Sequence, residues 1–372
     1  MSRHCDVLII GGGVIGLTTA YFLAKDGAQV TLLDRGEFGQ ESSWAGAGII
    51  SPGNLERAKS GFDKLRALSA RMFPSLSCQL REETGIDNGY LPCGGVELAS
   101  GVDEVTFQSW LDEGIESRRM SGAELKQLEP AFADSLDDGY YQPSMAQVRN
   151  PRHVRALVAA GRSRGVEMVR NCAVHQFQTN GERVLAAATD RGDFRSNRFV
   201  ITSGAWTDPL LKTFGWQPGV YPVRGQIVLF NAGKPLFRPV LLQGKNYLVP
   251  RADGRILAGA TEENVGFVKE NTTEAVEKLT RMARDFVPAL KQVPVERTWA
   301  GLRPGTPDGL PYLGLVPGTR NLFLAAGHFR SGITTSPATG LVMSELLQDR
   351  PTSSPLKELA LDRSVGQNSN LV

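Results

Sequence analysis

Hydrophobic and polar positions change period several times along the chain. Asp6 to Ile10 (DVLII) is a short apolar run of buried-strand character. Gly11-Gly12-Gly13-Val14-Ile15-Gly16 interrupts it, and Leu17 to Gly27 (LTTAYFLAKDG) then reads as a helix stopped by Gly27. Gln29 to Leu33 (QVTLL) is a second strand closed by Asp34. Glu56 to Thr84 is predicted largely helical, Gly94 to Ala99 strand-like, and Ser121 to Leu128 a helix opened by a Ser121/Glu124 capping box. Asn150 to Gly165 is a helix with Pro151 in its first turn, followed by a strand over Val166 to Ala173 and another over Arg198 to Ser203. Val220 to Phe230 and Tyr247 to Gly259 read as paired strands, with a hairpin turn at Asp253-Gly254. Thr272 to Phe286 is an amphipathic helix. Phe323 to Ala326 is a strand, Gly327 to Gly332 a turn, and Ile333 to Leu347 a helix. The polar end, Pro351 to Val372, is expected to fray after Leu361.

Strand, glycine loop, helix, strand and acid in this order form a dinucleotide-binding unit. Gly11, Gly13 and Gly16 fit G-x-G-x-x-G. The first permits the tight turn, the second lets a pyrophosphate approach the backbone, and the third lets helix pack on strand. The helix N-terminus offers N–H groups to the phosphates. Asp34, 23 positions after Gly11, stands where a ribose hydroxyl is accepted, which favours FAD or NAD over NADP. The next segment, Glu41 to Pro52 (ESSWAGAGIISP), is rich in small residues that let backbone approach a flat ring, and Ser42 and Ser43 suit the pyrophosphate or ribityl chain.

Two glycine-rich segments lie near the C-terminal end: Arg297 to Gly314 (RTWAGLRPGTPDGLPYLG) and Leu322 to Gly340 (LFLAAGHFRSGITTSPATG). The second places a helix N-terminus after a strand and turn, where backbone donors meet an electron-rich ring edge such as a flavin carbonyl. Each segment carries one arginine, Arg303 and Arg330, whose planar guanidinium binds carboxylates bidentately; a structural salt-bridge role is the alternative.

Length and charge narrow the classes. A chain of 372 residues suggests two domains at ~100–200 residues each. With 41 basic and 39 acidic side chains, the net charge of +2 carries no nucleic-acid footprint. No apolar stretch approaches ~20 residues, and the N-terminus lacks the pattern of a secretion signal, so a cytoplasmic protein without a membrane span is expected. Cys5, Cys78, Cys93 and Cys172 are widely spaced and are expected as free thiols. The four histidines are isolated, and no metal site is expected.

At this point the motifs GGGVIG, ESSWAGAG, YPVRGQ, NYLVPRADGRILAGAT, GLRPGTPDGLPYLG and GHFRSGITTSPATG resemble the D-amino acid oxidase-type FAD oxidoreductases. Within them the chain is similar to the glycine oxidases associated with thiamine biosynthesis, from Asp6 to about Arg363. The resemblance implies α/β plus α+β architecture. A Rossmann-like FAD-binding domain (1–86, 145–216 and 296–372) is interleaved with an antiparallel-sheet substrate domain (87–144 and 217–295). It implies cofactor contacts at the glycine loop, at Val14 and Ile15, at Asp34 with Arg35, at Ser42 and Ser43, then at Ala47, Gly48 and Ile49 along the isoalloxazine. Val174 meets the adenine end. The turn of His328, Phe329, Arg330, Ser331, Gly332, Ile333 and Thr334 wraps the pyrimidine edge. Arg303, Arg330 and Tyr247 match the substrate-carboxylate residues. The sequence departs from the pattern at Ile49, where methionine can stand, and at Glu262, which follows GAT where an apolar residue is common; Glu262 is expected to be solvated, with a place at the pocket mouth as the alternative. No cysteine stands in the C-terminal segment, so FAD is expected noncovalent.

The implied chemistry is oxidative deamination of glycine, with small D-amino acids and secondary amines as further substrates. The arginines and Tyr247 hold the carboxylate and orient the α-carbon toward the flavin, a positioning effect that needs no side-chain base, and His328 is read as structural. Oxygen accepts the electrons as peroxide. The imine hydrolyses or feeds thiazole synthesis, and a homo-oligomer fits the class. The residues leave open a D-amino acid dehydrogenase passing electrons to a quinone, an oxidase of sarcosine- or proline-like amines, and a flavoprotein that assembles others without turnover.

Overall fold

The computed structural model describes residues 3–363. Its first sheet is built on Arg3–Ile10, a strand whose residues from Val7 to Ile10 are buried. Val30–Leu33 pairs parallel on one side and Gly192–Ile201 parallel on the other. Glu167–Val169 extends the sheet beyond Val30–Leu33, and Leu322–Ala326 pairs parallel with the far end of Gly192–Ile201. Parallel strands need covered faces, which explains their continuous apolar character. An antiparallel hairpin, Val174–Asn180 with Arg183–Thr189, joins the near end of Gly192–Ile201.

Helices Val14–Lys25, Gly61–Thr84, Asn150–Ser163 and Gly332–Leu346 cover one face and contribute to one core cluster. The dinucleotide helix and the C-terminal helix cross very closely. A Cβ on Gly340 would lie 2.6 Å from Thr18 Cγ2 and 2.8 Å from its carbonyl carbon. That crossing fixes two helix N-termini in one frame.

The second sheet has eight strands, in the order Val295–Gly305, Tyr221–Asn231, Arg255–Gly259, Asn246–Pro250, Val240–Gln243, Gly95–Leu98, Gly139–Gln142 and Arg118–Met120. All neighbours are antiparallel except Val240–Gln243 with Gly95–Leu98. Ile49–Ile50, Ala146–Gln147 and Leu91–Pro92 form a short three-stranded sheet. Helix Thr273–Phe286 buries Ala275, Leu279 and Ala283, a 4-residue spacing that is one helical face.

Local expectations met long-range pairing in several places. The helix expected from Glu56 begins at Gly61, because Ser60 accepts from the Asp63 N–H and caps it there. The Val166–Ala173 strand is only Glu167–Val169; Asn171 turns the chain with φ +50. The glycine-rich segment from Arg297 opens in a strand, which runs along Tyr221–Asn231 from Val295 to Gly305. The second sheet therefore reaches Gly305, and the boundary expected between 295 and 296 cuts through a paired strand. The capping box stands: Ser121 Oγ accepts from Glu124 N, and Glu124 Oε2 accepts from Ser121 N at 2.7 Å. Packing also continues past Leu361, where fraying was expected. Arg363 donates to Asp308 through Nε at 2.8 Å and Nη2 at 3.0 Å; 364–372 lie outside the described residues. Cys5, Cys93 and Cys172 are buried and Cys78 exposed, all free thiols. Among the described residues no helix is long and apolar enough to cross a membrane.

Candidate active site

A single cavity of about 640 Å³ runs between the two large sheets. Every residue nominated from the sequence lines it except Gly16. Gly16 works from behind: a Cβ there would lie 2.0 Å from the Gly11 carbonyl oxygen. Gly11 itself has φ +115, and its Cβ would meet the Thr202 carbonyl at 2.6 Å. The turn therefore demands glycine at both positions on steric grounds.

The dinucleotide end is prepared for an anion and a ribose. Helix Val14–Lys25 has Gly13 as its N-cap and no side-chain cap, so its first N–H groups face the cavity. One exception is Val14, whose N–H donates to Ser43 Oγ at 2.9 Å. The Ser43 hydroxyl proton stays available to a phosphate. Ser42 differs, because its hydroxyl donates to the Leu302 carbonyl, so in this arrangement it holds the second sheet rather than a phosphate. Asp34 accepts from Gly12 N and Gly36 N, each at 2.7 Å, while burial raises its pKa. Arg35 stacks 3.8 Å over the Trp206 ring and pairs with Glu41 at 3.3 Å.

The ring end is held by contacts from three directions. Thr334 Oγ1 donates to the Ile49 carbonyl at 2.8 Å, tying the C-terminal helix to the small-residue segment. Trp299 Nε1 donates to the Ala45 carbonyl at 2.9 Å. Arg251, 7% exposed, donates to the Ala47 carbonyl and Gln147 Oε1 at 2.6 Å each and to the Val148 carbonyl at 3.1 Å. Burial lowers its pKa to about 10, which leaves it charged at neutral pH. His328 is buried with Nε2 3.2 Å from Thr339 Oγ1, and burial pushes its pKa down to about 3. It is a neutral, structural histidine. The C-terminal helix has no side-chain cap at Ser331, so its first N–H groups open on the same cavity.

Beyond this end stand Arg303, Arg330 and Tyr247. Arg303 Nη1 donates to the Thr261 carbonyl at 3.0 Å, and among the described residues no carboxylate forms an ion pair with it. Burial lowers its pKa, with Tyr247 hydrogen-bonded beside it opposing that shift. Burial raises the pKa of Tyr247. Arg330 donates to the Lys245 carbonyl at 3.1 Å and to Glu262 Oε2 at 3.3 Å. Glu262 is not solvated: its side chain is 14% exposed, and Lys245 Nζ lies 3.5 Å from its other oxygen. Two cations drew this carboxylate inward, and single-sequence reading had no signal for either.

A cradle of uncapped N–H groups, a buried ribose acid and a small-residue wall with paired guanidiniums at its far end suits a flavin dinucleotide and a carboxylate. A family model described as FAD dependent oxidoreductase (DAO) matches residues 6–346. This chain belongs to that family. The oxidoreductase is 37% identical to glycine oxidase from Pseudomonas aeruginosa over 92% of its own length and 95% of the relative's. It is 34% identical to the bifunctional protein ThiO/ThiG of Synechocystis over 95% of its length, matching 53% of that protein. The solved glycine oxidase of Geobacillus kaustophilus superposes with a TM-score of 0.91 at 33% identity, covering 98% of this chain and 100% of that one. FAD is the oxidoreductase's cofactor, and the uncapped helix and the glycines at 11 and 16 fit it.

Arg251, Trp299, Trp206 and Thr202 were absent from the sequence-based site. Arg251 donates to the Ala47 carbonyl and Trp299 to the Ala45 carbonyl, partners on a distant segment of the chain. Trp206 follows a strand-then-glycine turn at Gly204.

Proposed function

We propose that this oxidoreductase oxidises glycine, and small amines like it, to the imine, which water hydrolyses to the corresponding 2-oxo acid and free amine (glyoxylate and ammonia from glycine), with oxygen reduced to hydrogen peroxide. The observation that carries the reading is Arg303: a half-buried guanidinium with no carboxylate in ion-pair contact among the described residues, beside Tyr247 and opening on the same cavity as Arg330. Glu262 acts on it only from a distance, and a substrate carboxylate supplies the direct partner that a desolvated cation lacks. Its two oxygens match the planar guanidinium, and Tyr247 adds a hydroxyl donor.

FAD, when bound noncovalently in this cavity, supplies the two-electron acceptor. The protein binds the carboxylate, orients the α-carbon and keeps water out. No side-chain base is needed, and the one histidine lining the cavity is buried and neutral. The named relatives support glycine as the substrate, and the likeness to ThiO/ThiG supports delivery of the product to thiazole synthesis. The two large sheets support a division into an FAD-binding and a substrate-binding unit. Four free thiols support a reducing, cytoplasmic setting.

Peroxide release from glycine, sarcosine and D-alanine tests the reading. Glycine is expected to turn over, and Arg303→Ala to keep the bound flavin spectrum while losing about a hundredfold or more in kcat/KM. Wild-type efficiency in that variant would remove the carboxylate role. Flavin bleached by glycine without air, then reoxidised only slowly by oxygen, would mark a dehydrogenase instead.

A further inference from the structure

Glu262 is a carboxylate already seated on one of the two guanidiniums proposed to bind a carboxylate. Its Oε2 lies 3.3 Å from Arg330 Nη1, where an oxygen of an incoming acid would be bound. Its Oε1 lies 3.5 Å from Lys245 Nζ, whose side chain is 54% exposed. A rotation toward Lys245 frees Arg330 while Glu262 keeps a cation partner, so displacement does not strand a buried charge. Nearby, half-buried Glu97 accepts from Gly244 N at 3.1 Å; burial pushes its pKa up to about 7, and the charge of Arg330 opposes that rise. Thr261, adjacent in the chain, accepts from Arg303 through its carbonyl, and the charge of Glu262 is felt at Arg303 as well.

We propose that Glu262 is a charge-selecting residue. It occupies Arg330 in the empty site, yields to the substrate carboxylate by moving to Lys245, and then stands as a fixed negative charge against the substrate's α-substituent. The site thereby favours glycine and amines with neutral or cationic substituents and rejects those with a second carboxylate. This rests on the reading that Arg303 and Arg330 hold the substrate carboxylate.

The test uses the flavin-loaded protein and two acids that cannot be oxidised, acetate and malonate, titrated by the change in flavin absorbance. Glu262→Gln is expected to bind acetate roughly tenfold more tightly than wild type, and to gain more for malonate than for acetate. Lys245→Met, which strands Glu262 on Arg330, is expected to weaken acetate severalfold. Glu262→Asp is expected to keep the wild-type preference for acetate over malonate. The turnover ratio of D-aspartate to D-alanine should rise about tenfold in Glu262→Gln. Unchanged acetate and malonate affinities in both Glu262→Gln and Lys245→Met overturn the proposal, as does an equal gain for the two acids in Glu262→Gln. Arg303→Ala separates the underlying reading. If it binds acetate as wild type does, the carboxylate assignment falls and takes this proposal with it. If it loses acetate while the Glu262 variants are unchanged, only this proposal falls.

Discussion

Gly225 carries the guanidinium of Arg303: a Cβ at Gly225 would lie 2.3 Å from both Nη atoms. The two residues sit on paired strands, with Gly225 opposite Gly301 and Arg303 opposite Val223. The glycine is therefore clearance for a side chain from the neighbouring strand. Gly259 does the same for Tyr247, whose ring carbon Cζ would be 2.5 Å from an added Cβ. Gly225→Ala is expected to push Arg303 off its position, raising KM for glycine about tenfold or more while FAD stays bound. Steady-state kinetics with a flavin spectrum of the same sample checks both halves.

Arg251→Met should unfold the protein more easily and loosen FAD. The change leaves the Ala47 and Val148 carbonyls and Gln147 Oε1 without the donor that now serves them. At about 1–3 kcal/mol for each buried group left unsatisfied, a loss of about 3 kcal/mol or more is expected. Urea denaturation measures it, and wild-type stability would show that water replaces the guanidinium.

Thr334→Val isolates the link between the C-terminal helix and the ring-facing segment. The replacement keeps the shape and removes the hydrogen bond to the Ile49 carbonyl. A loss of about 1 kcal/mol in FAD binding, or roughly fivefold in Kd, is expected from an uncharged hydrogen bond. Fluorescence of released FAD reports it.

Stability should fall in mild acid. His153 and His328 are buried, and burial pushes their pKa values down to about 4 and about 3. The unfolded chain binds protons at these histidines below about 6.5, while the folded chain does not. Stability is therefore complete above that pH and is lost as pH falls toward 4, by about 1.4 kcal/mol per pH unit for each histidine. His153→Gln, which preserves a partner for Asn88, should remove half of that slope in denaturation midpoints measured from pH 7 to 4.5.

The N-terminal unit was legible because its signals are local. Strand, turn, helix and acid lie within 34 residues, and the glycines at 11 and 16 are demanded by contacts of that same turn or of the adjoining Gly192–Ile201 strand. Arg303, Arg330 and Tyr247 were legible through motifs, although what surrounds them was not. The glycines of RTWAGLRPG are strand residues: Gly305 clears Tyr221 on the paired strand at 2.9 Å, and Gly301 clears Ala45, which lies outside that sheet, at 2.6 Å.

The sequence by itself determined a dinucleotide cradle and the acid at its edge, and it set two arginines in glycine-rich segments as candidates for a carboxylate. The cradle depends on near neighbours in the chain. Tertiary structure alone decided that Arg251 braces the ring-facing segment, that Ser42 is engaged by Leu302, and that Glu262 turns inward to Arg330 and Lys245. Those partners are separated by tens to hundreds of positions. Only tertiary packing brings them within hydrogen-bond reach, and no periodicity in the chain encodes the meeting.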